Sequence, residues 1–380
     1  FVLWAITGKL DEPGAIYLNA KGLETPKLFE IPEDDKPIGV DEFPLFYKFS
    51  GLGQFSRFPK AVLEDEPYPV RGLMILGGSP VLSFPDSKSW REAYKKLDCL
   101  IVLDRYFTED ARYADVVFPA CSLFEVPKAV PGPEGPHIVE PLIEPVGESK
   151  NDVLIMGAIA KKLGFGDKLP QTEEELRSWL LSGTAPYAGD FGTSADQKKE
   201  KHYKKYETGE LRADGKPGFP TPSGKLEICS TILEENGFVP YPEYKDVRSI
   251  PELAGKEYPF TMTSGARSNN RMGVFGANLD KIAEIEPYPF VDINAEDAKE
   301  IGIKDGDMVK VITPFADGTF KAKIRGIARH AIHIPHGGGS AYMAEPWKNG
   351  NVNDLCSLDY ADPMTGFVLI KSVPCRVEKV

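Results

Sequence analysis

The sequence predicts an α/β fold, a parallel-sheet α/β domain followed by a β-barrel domain. Two features carry this reading. Between Arg71 and Ala120 short apolar runs alternate with helical patterning, and from Glu257 onward short period-two segments are separated by glycine turns. The corresponding boundaries are 1–170 for the α/β domain, 171–255 for an irregular connecting region and 256–380 for the barrel.

In the first part, Leu73-Met-Ile-Leu76 is a short strand that ends at Gly77-Gly78-Ser79-Pro80. A helix follows, capped near Asp86 or Ser87, with Trp90, Tyr94 and Leu97 on one face. Cys99–Leu103 reads as a buried strand with Cys99 in the core, Thr108–Tyr113 as a helical turn, and Val116–Phe118 as a third strand. Strand, helix, strand, turn and strand in this order imply a parallel sheet with right-handed crossovers. A further helix fits Asn151–Leu163, stopped by Gly164, with Ile155, Ile159 and Leu163 packed on the same core.

In the last part, strands are predicted at Phe260–Thr263, Phe290–Ile293, Met308–Ile312, Thr319–Ile324, Ala331–Ile334 and Phe367–Ile370. Asp317-Gly318 is a hairpin turn signal, and Ala295–Ile301 is a short helix. Many short strands with glycine turns predict a closed barrel. Residues 11–70 and 170–250, rich in Pro, Gly and charge, carry no sustained period and read as long excursions.

Composition limits the function. With 45 basic and 57 acidic residues, the net charge of −12 argues against a nucleic-acid backbone or an anionic membrane surface as partner. The run Lys198–Lys205 reads as a solvated face beside acidic residues. Apolar stretches such as Val153–Ala160 are far shorter than the roughly 20 residues of a membrane span. Phe1-Val-Leu-Trp-Ala-Ile has no initiator Met and no signal-peptide pattern, so the chain is expected to be part of a longer protein, and its compartment stays undetermined. The five cysteines, Cys99, Cys121, Cys229, Cys356 and Cys375, form no C-x-x-C pair and read as reduced core thiols.

Ligands of open α/β sheets bind beyond the carboxyl ends of the strands. Here those ends are Gly77–Pro80, Asp104-Arg-Tyr-Phe-Thr108 and Pro119-Ala-Cys121. Paired glycines allow a backbone to approach a ligand, and a strand-end carboxylate accepts bonds from a ribose or a guanine edge. Neither G-x-G-x-x-G nor G-x-x-x-x-G-K-[ST] is present, so a plain structural turn remains the alternative. His330, His333 and His336 do not make a metal site on one strand, because His333 faces away and the outer two lie roughly 20 Å apart. His336-Gly-Gly-Gly339 has the form of an esterase oxyanion loop, but no G-x-S-x-G nucleophile accompanies it.

Four stretches in order resemble one family. They are Gly77-Gly-Ser-Pro-Val-Leu-Ser-Phe-Pro-Asp86, Asp104–Ala120, Phe219–Ile228, and a barrel set comprising Thr263–Arg267, Ile334–Gly337, Asn351–Leu355 and Asp362–Gly366. Together they are similar to the carboxyl-terminal half of the molybdopterin oxidoreductases of the dimethyl sulfoxide reductase type. The resemblance implies two molybdopterin guanine dinucleotides around one Mo or W and a double-psi-like barrel. It further implies oxygen-atom or electron transfer on a small-molecule substrate.

In that family Gly77, Gly78, Ser79, Pro80, Asp104 and Thr108 would hold one guanosine. Ser264, Gly265 and Arg267 would meet the cofactor at the first barrel strand, Asn353 would touch a pterin, and His336 and Gly337 would begin a loop along which the pterin passes. Ala266 departs from the usual Thr-Gly-Arg spacing. Thr221–Lys225 is a family marker that reads as a structural turn, and His137 as an exposed loop residue. The 4Fe-4S cysteines and the metal ligand would lie in a missing amino-terminal half, and an electron-transfer iron–sulfur subunit is the implied partner. No residue here stands out as catalytic. Members of the family on both sides of the bacterial membrane leave the compartment open, and hydratase or transhydroxylase chemistry and a non-catalytic cofactor-binding module are the competing expectations.

Overall fold

The computed structural model describes residues 2–18, 36–130, 136–182, 202–265, 279–343 and 345–380. The chain forms two compact units that interleave along the sequence, one from Phe1–Pro32, Leu123–Pro145 and Val153–Tyr244, the other from Glu33–Ser122, Val146–Asp152 and Lys245–Val380.

The second unit contains both predicted motifs. Strands β1 (Gly72–Leu76), β2 (Cys99–Asp104) and β3 (Val116–Pro119) form a parallel sheet in that order, with Leu76 opposite Leu103 and Leu103 opposite Phe118. The helix Ser87–Lys96 crosses between β1 and β2, and the Asp86 side chain caps it by accepting the Ser89 N–H. Its Trp90 and Tyr94 are buried as predicted, whereas Leu97 ends the helix in an extended conformation and is only half-buried. Trp90 stacks on Phe58, ring centroids 5.6 Å apart, from a helix at Phe58–Glu64 that lacked a sequence signal. Met343 and Trp347, which follow the glycine run, complete this core.

Cys99 corrects an expectation. It opens β2 at the edge of the core and is exposed, so the buried strand starts with Leu100. Cys229 is also exposed, and only Cys356 and Cys375 are buried thiols, which burial pushes up to about 12.

The barrel is closed by six strands in the order β10-β6-β11-β8-β9-β7. These are β6 (Phe260–Ser264), β7 (Phe290–Asn294), β8 (Met308–Ile312), β9 (Asp317–Arg325), β10 (Ala331–Ile334) and β11 (Val373–Lys379). Two pairs are parallel, β6 with β10 and β7 with β9, and the remaining neighbours are antiparallel. This interleaved order is the crossed connectivity that a double-psi-like barrel requires and a simple meander lacks. Alternate residues, among them Met262, Ile293, Val311, Phe320, Ile332 and Val373, point inward and fill it.

Two barrel expectations are corrected. The closing strand is Val373–Lys379 and not Phe367–Ile370, where only an isolated bridge from Val368 to Ala361 forms. The β8–β9 turn falls at 313–316, with the Thr313 N–H donating to Ala316 O at 2.9 Å, and Asp317-Gly318 already lie in β9.

In the first unit, β4 (Lys128–Val130) and β5 (His137–Val139) pair antiparallel. His137, exposed as expected, thus belongs to a strand. The helix Asp152–Lys162 buries Leu154, Ile155, Gly157 and Ala160, while Leu163 beyond it is exposed. The helix falls in the first unit and the parallel sheet in the second, so the expected assignment to one core is not met. A Cβ at Gly157 would collide with the Pro170 carbonyl, so glycine is required where the chain folds back on this helix.

Within the basic run, 198–201 lie outside the described residues, but Lys205 is not solvated. It is 2% exposed and its ammonium pairs with the fully buried Asp11, donates to His202 O and lies 3.7 Å from the centroid of the Tyr17 ring. Burial pushes the Asp11 carboxyl up, but the hydrogen bonds from Lys205 and the Leu18 N–H, with the Lys205 charge, more than offset this and hold it below its ordinary range. Lys205→Met should therefore cost about 3–5 kcal/mol, read as a lower urea midpoint. Asp11→Leu combined with Lys205→Met should lose less than that single change, because no unpaired charge remains; equal losses would show that the pair is not coupled.

Candidate functional site

Parallel pairing brings the predicted barrel residues together. Ser264 at the end of β6 sits opposite Ile334 at the end of β10, so Ser264-Gly265 and Pro335-His336-Gly337 leave the barrel on the same side. Ser264 is buried and its hydroxyl donates to Ile370 O at 2.8 Å, whereas Gly265 is exposed with φ +96° and only Lys371 Cε near the place of a Cβ. Arg267 lies outside the described residues.

The glycine run then turns sharply, with φ values of +139°, +90° and +96° at Gly337, Gly338 and Gly339. At two of these positions the close approach is to the protein itself. A Cβ on Gly338 would stand 2.9 Å from Asn349 O, and one on Gly339 would stand 2.8 Å from Asn351 Cβ and 3.1 Å from Leu82. The Gly339 N–H donates to Trp347 O at 2.9 Å, and the Trp347 indole N–H donates to Glu286 O at 2.7 Å.

Leu82 belongs to the helix Pro80–Ser83, which grows directly from the end of β1. Gly77 is exposed, has φ +60° and donates to Leu103 O at 2.9 Å, and Gly78 is half-buried. Pro80 starts the helix, where its missing N–H costs nothing. The Ser79 hydroxyl donates to the carboxylate of Asp110, which also accepts the Val81 N–H at 3.1 Å and the Tyr94 hydroxyl at 2.8 Å. Asp110 is completely buried. Burial pushes its carboxyl up against the pull of these three donors, and burial together with Asp110 pushes the Tyr94 hydroxyl far above its usual range.

At the end of β2, Asp104 is half-buried and accepts the Tyr106 N–H at 2.9 Å. Burial raises its pKa, opposed by that N–H and by Arg105. Burial followed by repulsion from Asp104 raises that of Asp152. Thr108 is buried and accepts the Ala111 N–H at 3.2 Å. The third strand end, Pro119–Cys121, is occupied by protein, since Lys150 donates to Pro119 O and accepts from Cys121 N–H.

Glu109, which the sequence did not single out, and Asn351 and Asn353 of the barrel set join these pieces. Glu109, 2% exposed, accepts the Ala341 N–H at 3.0 Å with one oxygen and pairs with Arg112 at 2.7 Å through the other. Asn353 is buried, its side-chain amide donates to Leu82 O at 2.7 Å and its backbone carbonyl accepts the Asp86 N–H at 3.0 Å. Asn351, also buried, donates to Ser87 Oγ at 3.2 Å. The Asn353 side chain, expected to touch a pterin, laces the barrel loop to the helix Pro80–Ser83 through its bond to Leu82 O.

The histidines do not cluster. His330 precedes β10 with φ +57° and is exposed, His333 meets Asp292 at 3.1 Å on the outer face of the barrel, and His336 is half-buried. Among the described residues no group of His, Cys, Asp and Glu is arranged to hold a metal, and no helix is long and apolar enough to cross a membrane. The turn at Thr221–Lys225 closes on itself, with Thr221 Oγ1 donating to Lys225 O at 2.6 Å, as a structural turn does.

Because Asp110 is faced by three donors, Asp110→Asn places an NH2 group against one of them. A stability loss of about 1–3 kcal/mol is expected, measured by chemical denaturation; an unchanged midpoint would contradict the role given to this carboxylate.

Residues 261–374 match the molydopterin dinucleotide binding domain, and residues 56–162 match molybdopterin oxidoreductase. The alpha subunit of an F420-dependent formate dehydrogenase of Methanocaldococcus jannaschii is 30% identical over 285 residues, covering 72% of this chain and 39% of that protein. Acetylene hydratase of Syntrophotalea acetylenica is 25% identical over 302 residues, covering 76% of this chain and 40% of that protein. The solved structure of acetylene hydratase from Pelobacter acetylenicus superposes with a TM-score of 0.70 at 21% identity, covering 90% of this chain and 52% of that one, which establishes a shared fold. The chain spans two fifths of the length of these curated relatives. It belongs to the molybdopterin oxidoreductases of the dimethyl sulfoxide reductase type, and its barrel is the dinucleotide-binding domain of that family.

Proposed function

We propose that this chain is the carboxyl-terminal, cofactor-embracing part of a molybdenum or tungsten enzyme that carries two molybdopterin guanine dinucleotides. In this reading it acts on a small substrate by oxygen-atom or electron transfer. An amino-terminal half supplies the 4Fe-4S cluster and the metal ligand, and an iron–sulfur subunit exchanges electrons with it.

The observation that carries the reading is the convergence of two backbone platforms in one compact unit. Glu109, just beyond Asp104–Thr108, is bonded to the glycine loop of a molydopterin dinucleotide-binding barrel, and Asn351 and Asn353 of the same barrel bond to Ser87 and Leu82 beyond Gly77–Pro80. The residues suit such a group. Gly77 has open space where a Cβ would stand, and Gly265 has only a flexible lysine tip there, so both leave backbone accessible. Asp104, half-buried with few donors of its own, suits the N–H and O–H groups of a guanosine. When bound, the metal and its pterins supply the redox chemistry, while this chain binds and orients them.

Similarity to acetylene hydratase favours a second reading, a hydration that needs no external electron acceptor. Reduction or oxidation of an artificial dye coupled to substrate turnover separates the two.

The protein isolated from its native source should release guanine nucleotide on acid hydrolysis, at about two per molybdenum or tungsten by mass spectrometry and elemental analysis. Metal without guanine nucleotide would overturn the assignment, and a ratio of one would overturn the two-dinucleotide form.

A further inference from the structure

Two large aromatic rings are left half in solvent at the place where the sheet ends meet the barrel loop. Phe107, three residues beyond Asp104, is 49% exposed, and Tyr342, just beyond the glycine run, is 47% exposed. Their ring centroids are 4.8 Å apart at an interplanar angle of 75°. In an edge-to-face pair, the ring that offers its edge keeps both of its own faces uncovered by its partner.

The pair is held in place rather than left loose. Glu109, two residues after Phe107, accepts the N–H of Ala341, the residue before Tyr342, at 3.0 Å. This bond ties together the two loops that carry the rings. A half-exposed aromatic face on the segment that starts at a half-buried carboxylate, Asp104, matches a planar base with hydrogen-bond donors on its edge. Guanine offers such an edge through N1–H and its exocyclic amine, whereas adenine lacks that adjacent donor pair.

We propose that Phe107 and Tyr342 form an aromatic wall on which the guanine base of the dinucleotide stacks, with Asp104 reading its edge. This rests on the reading that the sheet ends hold a guanosine. Phe107 and Tyr342 then act as specificity residues contributed by two elements far apart in sequence, one from the α/β sheet and one from the barrel loop.

The test compares GMP with ribose 5-phosphate, which lacks the base, by equilibrium titration of the full chain produced free of cofactor. The wild type should bind GMP at least about tenfold tighter than ribose 5-phosphate. Phe107→Ala combined with Tyr342→Ala should bring the two affinities within about twofold while leaving ribose 5-phosphate binding unchanged. Phe107→Leu keeps apolar bulk without a π face and should lose most of the preference, and Phe107→Trp should keep it. A wild type without preference for GMP would remove the guanosine reading and the wall together. A wild type with the preference, retained in both the double variant and Phe107→Leu, would remove the wall alone.

Discussion

Two adjacent carboxylates shut away from water, Glu109 and Asp110, govern the geometry around the candidate site. A buried carboxylate must be surrounded by donors, because leaving it bare in a low-dielectric interior costs more than any surface contact returns. Asp110 meets that demand by drawing in Ser79 and Val81 from the end of the neighbouring strand and Tyr94 from the crossover helix. Glu109 meets it with Arg112 and a backbone N–H of the barrel loop. One short segment after β2 thereby sets the position of the β1 loop and of the glycine loop.

The glycine run shows why this fastening needs an unusual backbone. Three successive residues with positive φ lie beyond what side-chain-bearing residues adopt at low cost. The conformation carries the chain from the end of β10 to a contact with Leu82, where Gly339 lacks the room for a methyl group. Met343 and Trp347 can then enter the core around the parallel sheet. Sheet and barrel in this unit therefore share buried side chains as well as hydrogen bonds. Loops held on both sides suit a long, flexible cofactor, since a preset surface binds it without the further loss of ordering the loops.

Much of this fold was legible because its signals are local. The barrel strands β6 to β10 and the strands of the parallel sheet show period-two alternation or short apolar runs, which survive in sequence whatever the chain packs against. Closure by Val373–Lys379 was not legible, since Pro374 and the charged residues beyond it disguise a strand whose place depends on partners more than 60 residues away in sequence. The helix Phe58–Glu64 is too short for its period to show. Lys205 looked solvated because the residue that buries it, Asp11, lies 194 positions earlier. At the site, Gly77, Asp104, Gly265 and Gly337 were visible as strand-end residues. Glu109, Asp110, Phe107 and Tyr342 acquire meaning only when the two loops are brought together.

The site thus combines an open glycine backbone, a half-buried carboxylate and exposed rings at the sheet ends with a fastened loop from a dinucleotide-binding barrel. The most direct measurement of this account is a crystal structure of the protein with its native cofactor. One guanosine is expected to lie between Gly77–Pro80 and Asp104–Thr108, with its pyrophosphate running toward Gly265 and Gly337. A guanosine bound elsewhere in the second unit, with these strand ends covered by protein alone, would contradict it.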